Sequence, residues 1–191
     1  VEVLMRNADA AMYHAKSAGR NNVQFFTASM NEAARDRRQF EEDLHLALQQ
    51  KQFVLHYQPQ VDAQRYVFAA EALLRWQHPH HGLVPPARFV PLAEDTGLIV
   101  PIGQWVLETA CAQIKAWSVD ARTHKFQVAV NVSARQFRQP DFVELLRQAL
   151  DDSGADPARL KLELTESLVL DNVADTIVKM NAIKLLGVTF S

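Results

Sequence analysis

Apolar residues recur every three or four positions over residues 4–18, where Leu4, Ala8, Ala11, Met12 and Ala15 share one face. That spacing predicts a helix, and Gly19 supplies its stop. Val23–Phe26 reads as a short strand and Thr27 to Gln50 as a second helix. The second helix is charged at Arg35, Asp36, Arg37, Arg38, Glu41, Glu42 and Asp43, with Phe40, Leu44, Ala47 and Leu48 as its apolar stripe. Pairs four residues apart, such as Arg38 and Glu42, mark a solvated helix face, so this stretch reads as a connector that ends by docking on a core.

After Gln50 the period changes. Phe53–Val61 and Tyr66–Trp76 are predicted strands, and the short turn Asp62–Arg65 between them predicts an antiparallel hairpin. Two prolines, Pro85 and Pro86, lead to helices near Ala87–Glu94 and Ile102–Trp117. Then strand Phe126–Val132, helix Pro140–Ser153, strand Leu160–Leu164, helix Val173–Leu186 and the start of a strand at Val188–Phe190 follow in turn. Alternation at this spacing means parallel β/α units, in an open sheet or a barrel. No glycine-rich loop follows a strand, so dinucleotide and P-loop fingerprints are absent.

Strand side chains alternate between faces. In Ala70–Arg75, one face holds Glu71, Leu73 and Arg75, and the other Ala70, Ala72 and Leu74. In Gln127–Val132 the valines oppose Ala129 and Asn131, and in Leu160–Thr165 the leucines oppose Lys161, Glu163 and Thr165. With the aliphatic faces packed under helices, Glu71, Arg75, Asn131 and Glu163 point into a barrel interior near the strand C-terminal ends, where β/α barrels keep their active sites. Two carboxylates and an amide there need a partner, because a bare buried charge is costly. A hard cation, Mg²⁺ or Mn²⁺, on three oxygen ligands is one solution. An ion pair from Arg75 or Lys161 to one carboxylate is another, and the pattern leaves both open.

Composition narrows the classes. Twenty Lys+Arg against 22 Asp+Glu give a formal charge of −2, which argues against a nucleic acid polymer or an anionic membrane as partner. The single cysteine, Cys111, excludes an internal disulfide and reads as a buried helix residue. No stretch reaches the ~18 apolar residues of a spanning helix, and the expected location is the cytoplasm. The chain opens on Val1 and closes on Gly187–Ser191 in mid-strand, so both ends read as cuts in a longer chain whose missing N-terminal part leaves room for a membrane anchor.

Tyr57–Val61 (YQPQV), Glu71–Trp76 (EALLRW), His78-Pro79, Pro86–Glu94 (PARFVPLAE), Asn131–Ser133 (NVS) and Leu162–Ser167 (LELTES) follow one another in the order of the EAL domain hallmarks. The chain therefore resembles EAL domains, bacterial phosphodiesterases that cut cyclic di-GMP to linear pGpG. Ala8–Lys16 with Gly19–Asn22 resembles the end of a GGDEF diguanylate cyclase domain. The resemblance implies three segments: residues 1–27 as a GGDEF remnant, 28–50 as a connecting helix, and 51–191 as the N-terminal part of an EAL domain. The implied fold is α/β, an incomplete TIM-type (β/α) barrel with an antiparallel first strand.

The resemblance also implies roles. Glu71, Asn131 and Glu163 match the metal ligands, for Mg²⁺ or Mn²⁺. Arg75 matches an arginine on a substrate phosphate, Leu73 lines the cleft, Gln58 touches a guanine, and Glu166 props an active-site loop. Cyclic di-GMP is the implied partner, with homodimerisation through the EAL domain and an upstream sensory domain of unknown kind. The family's metal-bridging Asp-Asp-Phe-Gly motif falls just beyond Ser191, so the piece alone is expected to be inactive and marginally stable. An inactive cyclic di-GMP receptor is the competing reading, and the intact Glu71, Asn131 and Glu163 favour the enzyme.

Overall fold

The computed structural model describes residues 2–17, 21, 23–164 and 173–191. Two compact units result, residues 1–49 and 50–191. The first holds α1 (Glu2–Ser17) and α2 (Ala28–Ala47). Arg38 and Glu42 pair on the exposed face of α2 at 3.4 Å. Residues 23–27 form no strand, and Val23 and Phe25 are exposed. A lone apolar run has no ladder to join unless another strand lies beside it.

The second unit is a sheet with helices against one face. It comprises β1 (Phe53–Val61), β2 (Val67–His78), β3 (Gly82–Val84), α3 (Pro86–Thr96), α4 (Ile99–Trp117) and β4 (Gln127–Val132). Then come α5 (Ala134–Phe137), α6 (Phe142–Ser153), a 3₁₀ turn at Pro157–Arg159, β5 (Leu160–Leu164), α7 (Val173–Leu185) and β6 (Thr189–Phe190). The order is β1-β2-β4-β5-β6, with β3 on β2. β1 and β2 pair antiparallel from Phe53↔Trp76 onward, whereas β2–β4, β4–β5 and β5–β6 are parallel. Asp62 closes the first hairpin by accepting from the Gln64 and Tyr66 backbone N–H groups, both at 2.9 Å. Among the described residues the sheet runs from β1 to β6 without closing.

The core sits under the aliphatic face. Ala72, Val128, Val130, Val132, Leu160 and Leu162 pack against Val106, Leu107, Ala110, Cys111 and Ile114 of α4 and Leu146, Ala149 and Leu150 of α6. Each large side chain so buried contributes about 1.5–3 kcal/mol relative to exposure, which pins the register: a one-residue slip would turn the whole set outward. No helix among the described residues is long and apolar enough to cross a membrane.

Three departures from the sequence pattern have physical causes. α4 begins at Ile99, not Ile102, because Pro101 falls in the first turn, where a missing N–H leaves no bond unmade. β3 and the turn before it form because His78 is buried and its Nδ1 accepts from the backbone N–H groups of His80 (3.0 Å) and His81 (3.3 Å). The stretch before α6 holds a separate short helix, α5, whose Ser133 cap accepts from Gln136 N–H at 3.1 Å.

Two glycines are required where helices meet. Gly97 ends α3 at φ 87°, in the left-handed region. Gly103 of α4 lies under the Gln136 amide so closely that a Cβ there would sit 2.2 Å from Oε1. Gly103→Ala is therefore expected to lower stability by about 1–3 kcal/mol, read as a lower urea midpoint. Adding Gln136→Ser should recover part of that loss, because the two positions share one contact.

Burial, helped by neighbouring Glu108, pushes the Cys111 thiol up to about 12, and burial does the same to Tyr57, also to about 12. The unfolded chain releases these protons from ordinary values of 9.0 and 10.0. Above pH 9 the unfolded state thus holds fewer protons than the folded one, and stability falls as pH rises. Melting temperature should be insensitive to these groups below pH 9 and fall between pH 9 and 12, with the earlier part of the fall absent in Cys111→Ala.

Candidate active site

The face opposite the core carries the polar residues. On β2, Glu71, Leu73 and Arg75 share that face, and all three are half-buried. Gln58 on β1 stands directly opposite Glu71 in the antiparallel register, which places both side chains on the same side. On the parallel side, Glu71 pairs with Ala129, and Asn131 lies two residues further along β4. Asn131 in turn pairs with Glu163 on β5. Three neighbouring strands thus bring Glu71, Asn131 and Glu163 to one patch.

A hydrogen bond ties two of them. Asn131 Nδ2 donates to Glu71 Oε1 at 2.8 Å, across 60 residues of sequence. With the nitrogen engaged, the amide oxygen is the atom Asn131 has left for a ligand. Among the described residues neither Glu71 nor Glu163 has a cationic side chain within 4 Å. Arg75 turns back instead, its Nη1 donating to the Leu74 carbonyl at 2.8 Å. The ion-pair solution left open by the sequence is therefore not the one these residues adopt. The donor set is two carboxylates and an amide oxygen, with no histidine or cysteine, and it fits a hard divalent cation. No group of three His, Cys, Asp or Glu side chains converges among the described residues, so such a cation would depend on Asn131 as its third ligand from this face. Glu166 lies outside the described residues.

Leu73, Asn131 and Glu163 also line a cavity of about 420 Å³, whose other walls include Val90 of α3, Ile102 of α4 and Gln136 of α5. Its volume lies in the range of small-molecule sites. Glu71, Arg75 and Gln58 do not line it. The tryptophans take no part: Trp76 is buried on the other face of β2, where its Nε1 donates to Gln52 Oε1 at 2.9 Å, and Trp117 packs edge-on against Tyr57 at 5.0 Å.

The segment after Asn131 carries further contacts around the patch. There Ser133 caps α5, Arg135 donates from Nη1 to the carbonyls of Glu94 and of Asp95 at the end of α3, and Gln136 seats on Gly103. The signal was present: Ser133-x-x-Gln136 has the spacing of a capping box. What it caps against is set only in three dimensions.

Comparison with known proteins points the same way. The family model described as the EAL domain matches residues 41–191. The chain is 47% identical over 189 residues to the bifunctional diguanylate cyclase/cyclic di-GMP phosphodiesterase MucR of Pseudomonas aeruginosa, covering 98% of this chain and 27% of that protein. It is 38% identical over 191 residues to the cyclic di-GMP phosphodiesterase NbdA of the same species, covering 100% of this chain and 24% of that one. The solved structure of PaMucR phosphodiesterase in complex with c-di-GMP superposes with a TM-score of 0.76 at 44% identity, covering 80% of this chain and 62% of that one. The chain spans about a quarter of the length of these curated relatives. Its mixed sheet, with an antiparallel first strand and parallel strands beyond it, has the architecture of that structure. With a match that takes in every strand of the sheet and the whole polar patch, the chain belongs to the EAL domain family.

Proposed function

We propose that the protein carrying this chain hydrolyses cyclic di-GMP to pGpG, with Mg²⁺ or Mn²⁺ held by Glu71, Asn131 and Glu163. One observation carries the reading: the Asn131–Glu71 hydrogen bond beside the Asn131↔Glu163 register pair, which gathers an all-oxygen donor set without a cationic partner. The relatives named as phosphodiesterases support the choice of substrate. The open sheet is read as the first part of a β/α barrel, and residues 1–27 as the end of a GGDEF domain.

The cation, when bound, supplies positive charge to the phosphodiester oxygens and lowers the pKa of a bound water. The chain's own residues orient and bind. Asn131 Nδ2 holds one oxygen of Glu71, which fixes the carboxylate plane and leaves its second oxygen for the ion. Arg75 uses Nη1 on the Leu74 carbonyl, and the remaining N–H groups of its planar fork suit phosphate oxygens. Leu73 offers an apolar surface to the substrate and Gln58 faces a guanine.

Turnover of cyclic di-GMP by the full-length protein in Mg²⁺, followed as pGpG by chromatography, tests this. Glu71→Gln should lose at least about 100-fold in kcat, equivalent to ~2.7 kcal/mol, while its melting temperature stays close to wild type. Tight cyclic di-GMP binding by wild type with no pGpG formed would instead establish the receptor reading. Arg75→Ala should raise KM by about tenfold, the loss of one charge-assisted contact of ~1.4 kcal/mol. An unchanged KM in that variant would remove Arg75 from the substrate.

A further inference from the structure

α5 is only four residues long, Ala134–Phe137. A helix so short has no stability of its own, so its position is set by what holds it. On one side Arg135 grips the carbonyls of Glu94 and Asp95, and on a second Gln136 seats on Gly103. The third hold comes from Lys179 of α7. Its ammonium donates to three successive carbonyls at the end of α5, those of Phe137 at 3.2 Å, Arg138 at 3.1 Å and Gln139 at 3.0 Å. Its side chain is 11% exposed, and the Asp175 carboxylate lies 3.5 Å from Nζ.

An ammonium has three protons to donate, and here each has a carbonyl to meet. Those carbonyls form the negative end of the short helix, where a cation is favoured. Replacing the ammonium by an apolar group would remove this partner from all three carbonyls, most consequentially from that of buried Phe137, where a lost partner costs more than the net worth of the bond. The geometry also joins two parts of the patch. α5 follows Asn131 by three residues, and α7 follows Glu163 and the segment with Glu166 in sequence. Lys179 bonds the chain leaving β4 to the helix that precedes β6.

We propose that Lys179 is a positioning residue: by clamping the end of α5 it sets where Asn131 stands relative to Glu71 and Glu163, and so tunes divalent-cation affinity. This rests on the reading of those three residues as cation ligands, but not on the identity of the substrate.

The test uses the full-length protein and Mn²⁺ alone as probe, with binding followed by electron paramagnetic resonance. Lys179→Met should weaken Mn²⁺ binding by about fivefold to tenfold. It should also speed amide exchange at Phe137, Arg138 and Gln139, whose N–H groups bond to Ser133, Ala134 and Gln136 carbonyls. Lys179→Arg, which keeps a cationic donor, should restore most of both. Ile183→Val, in the buried core one turn along α7, controls for stability: it should lower the melting temperature while leaving Mn²⁺ affinity and α5 exchange unchanged. Overturning results are Mn²⁺ affinity in Lys179→Met equal to wild type, or an equal loss in Ile183→Val. A wild type that binds Mn²⁺ at Glu71 yet leaves cyclic di-GMP intact would count against the proposed hydrolysis alone.

Discussion

Everything in the second unit depends on one constraint, the parallel register of β2, β4 and β5. Because strand side chains alternate with period two, the register that buries Ala72, Val130 and Leu162 is also the one that brings Asn131 beside Glu163 and within 2.8 Å of Glu71. Core and site are two faces of one arrangement. A slip of one residue would send the valines to water and the carboxylates into the hydrophobic layer, at a cost the fold could not bear. The hydrophobic effect, acting on the aliphatic face, therefore determines where the polar chemistry stands.

The polar face is then refined by shorter-range forces. Asn131 spends its nitrogen on Glu71, and Arg75 turns to the backbone of its own strand. These choices keep two carboxylates without a neighbouring cationic side chain among the described residues. Such a grouping is unfavourable on its own and favourable around a divalent cation. Around it, α5 is assembled from contacts that each come from a different helix: Arg135 to the end of α3, Gln136 on Gly103 of α4, and Lys179 from α7. A segment with little intrinsic stability is thus held by its surroundings.

Much of this was legible in the sequence because period and motif order are local properties. The alternation in Ala70–Arg75 and Leu160–Leu164 marks which side chains share a face before any coordinates are known. The hairpin at Asp62–Arg65 was equally plain. Other features were hidden because they are tertiary. Lys179 reads as one more charged residue on a helix, and nothing in its neighbours along the chain names the carbonyls of residues 137–139 as its partners. The run Val23–Phe26 has strand composition but forms no strand. His78 stands beside Pro79, His80 and His81, and nothing in that polar stretch announces that it is buried and closes the turn before β3 with Nδ1. Ser133 and Gln136 had the capping spacing, and the proline-bearing start of α4 was obscured because a proline reads as a break unless the first turn is recognised.

On this reading Glu71, Asn131 and Glu163 form one cation site because the strand register puts them there. A crystal structure of the full-length protein soaked in Mn²⁺, with anomalous diffraction at the manganese edge, decides whether they do. A manganese peak is expected at ligand distance, roughly 2.0–2.3 Å, from an oxygen of each of the three side chains. A manganese peak held by other residues, or Glu71 and Glu163 found on opposite faces of the sheet, would overturn the assignment of this site.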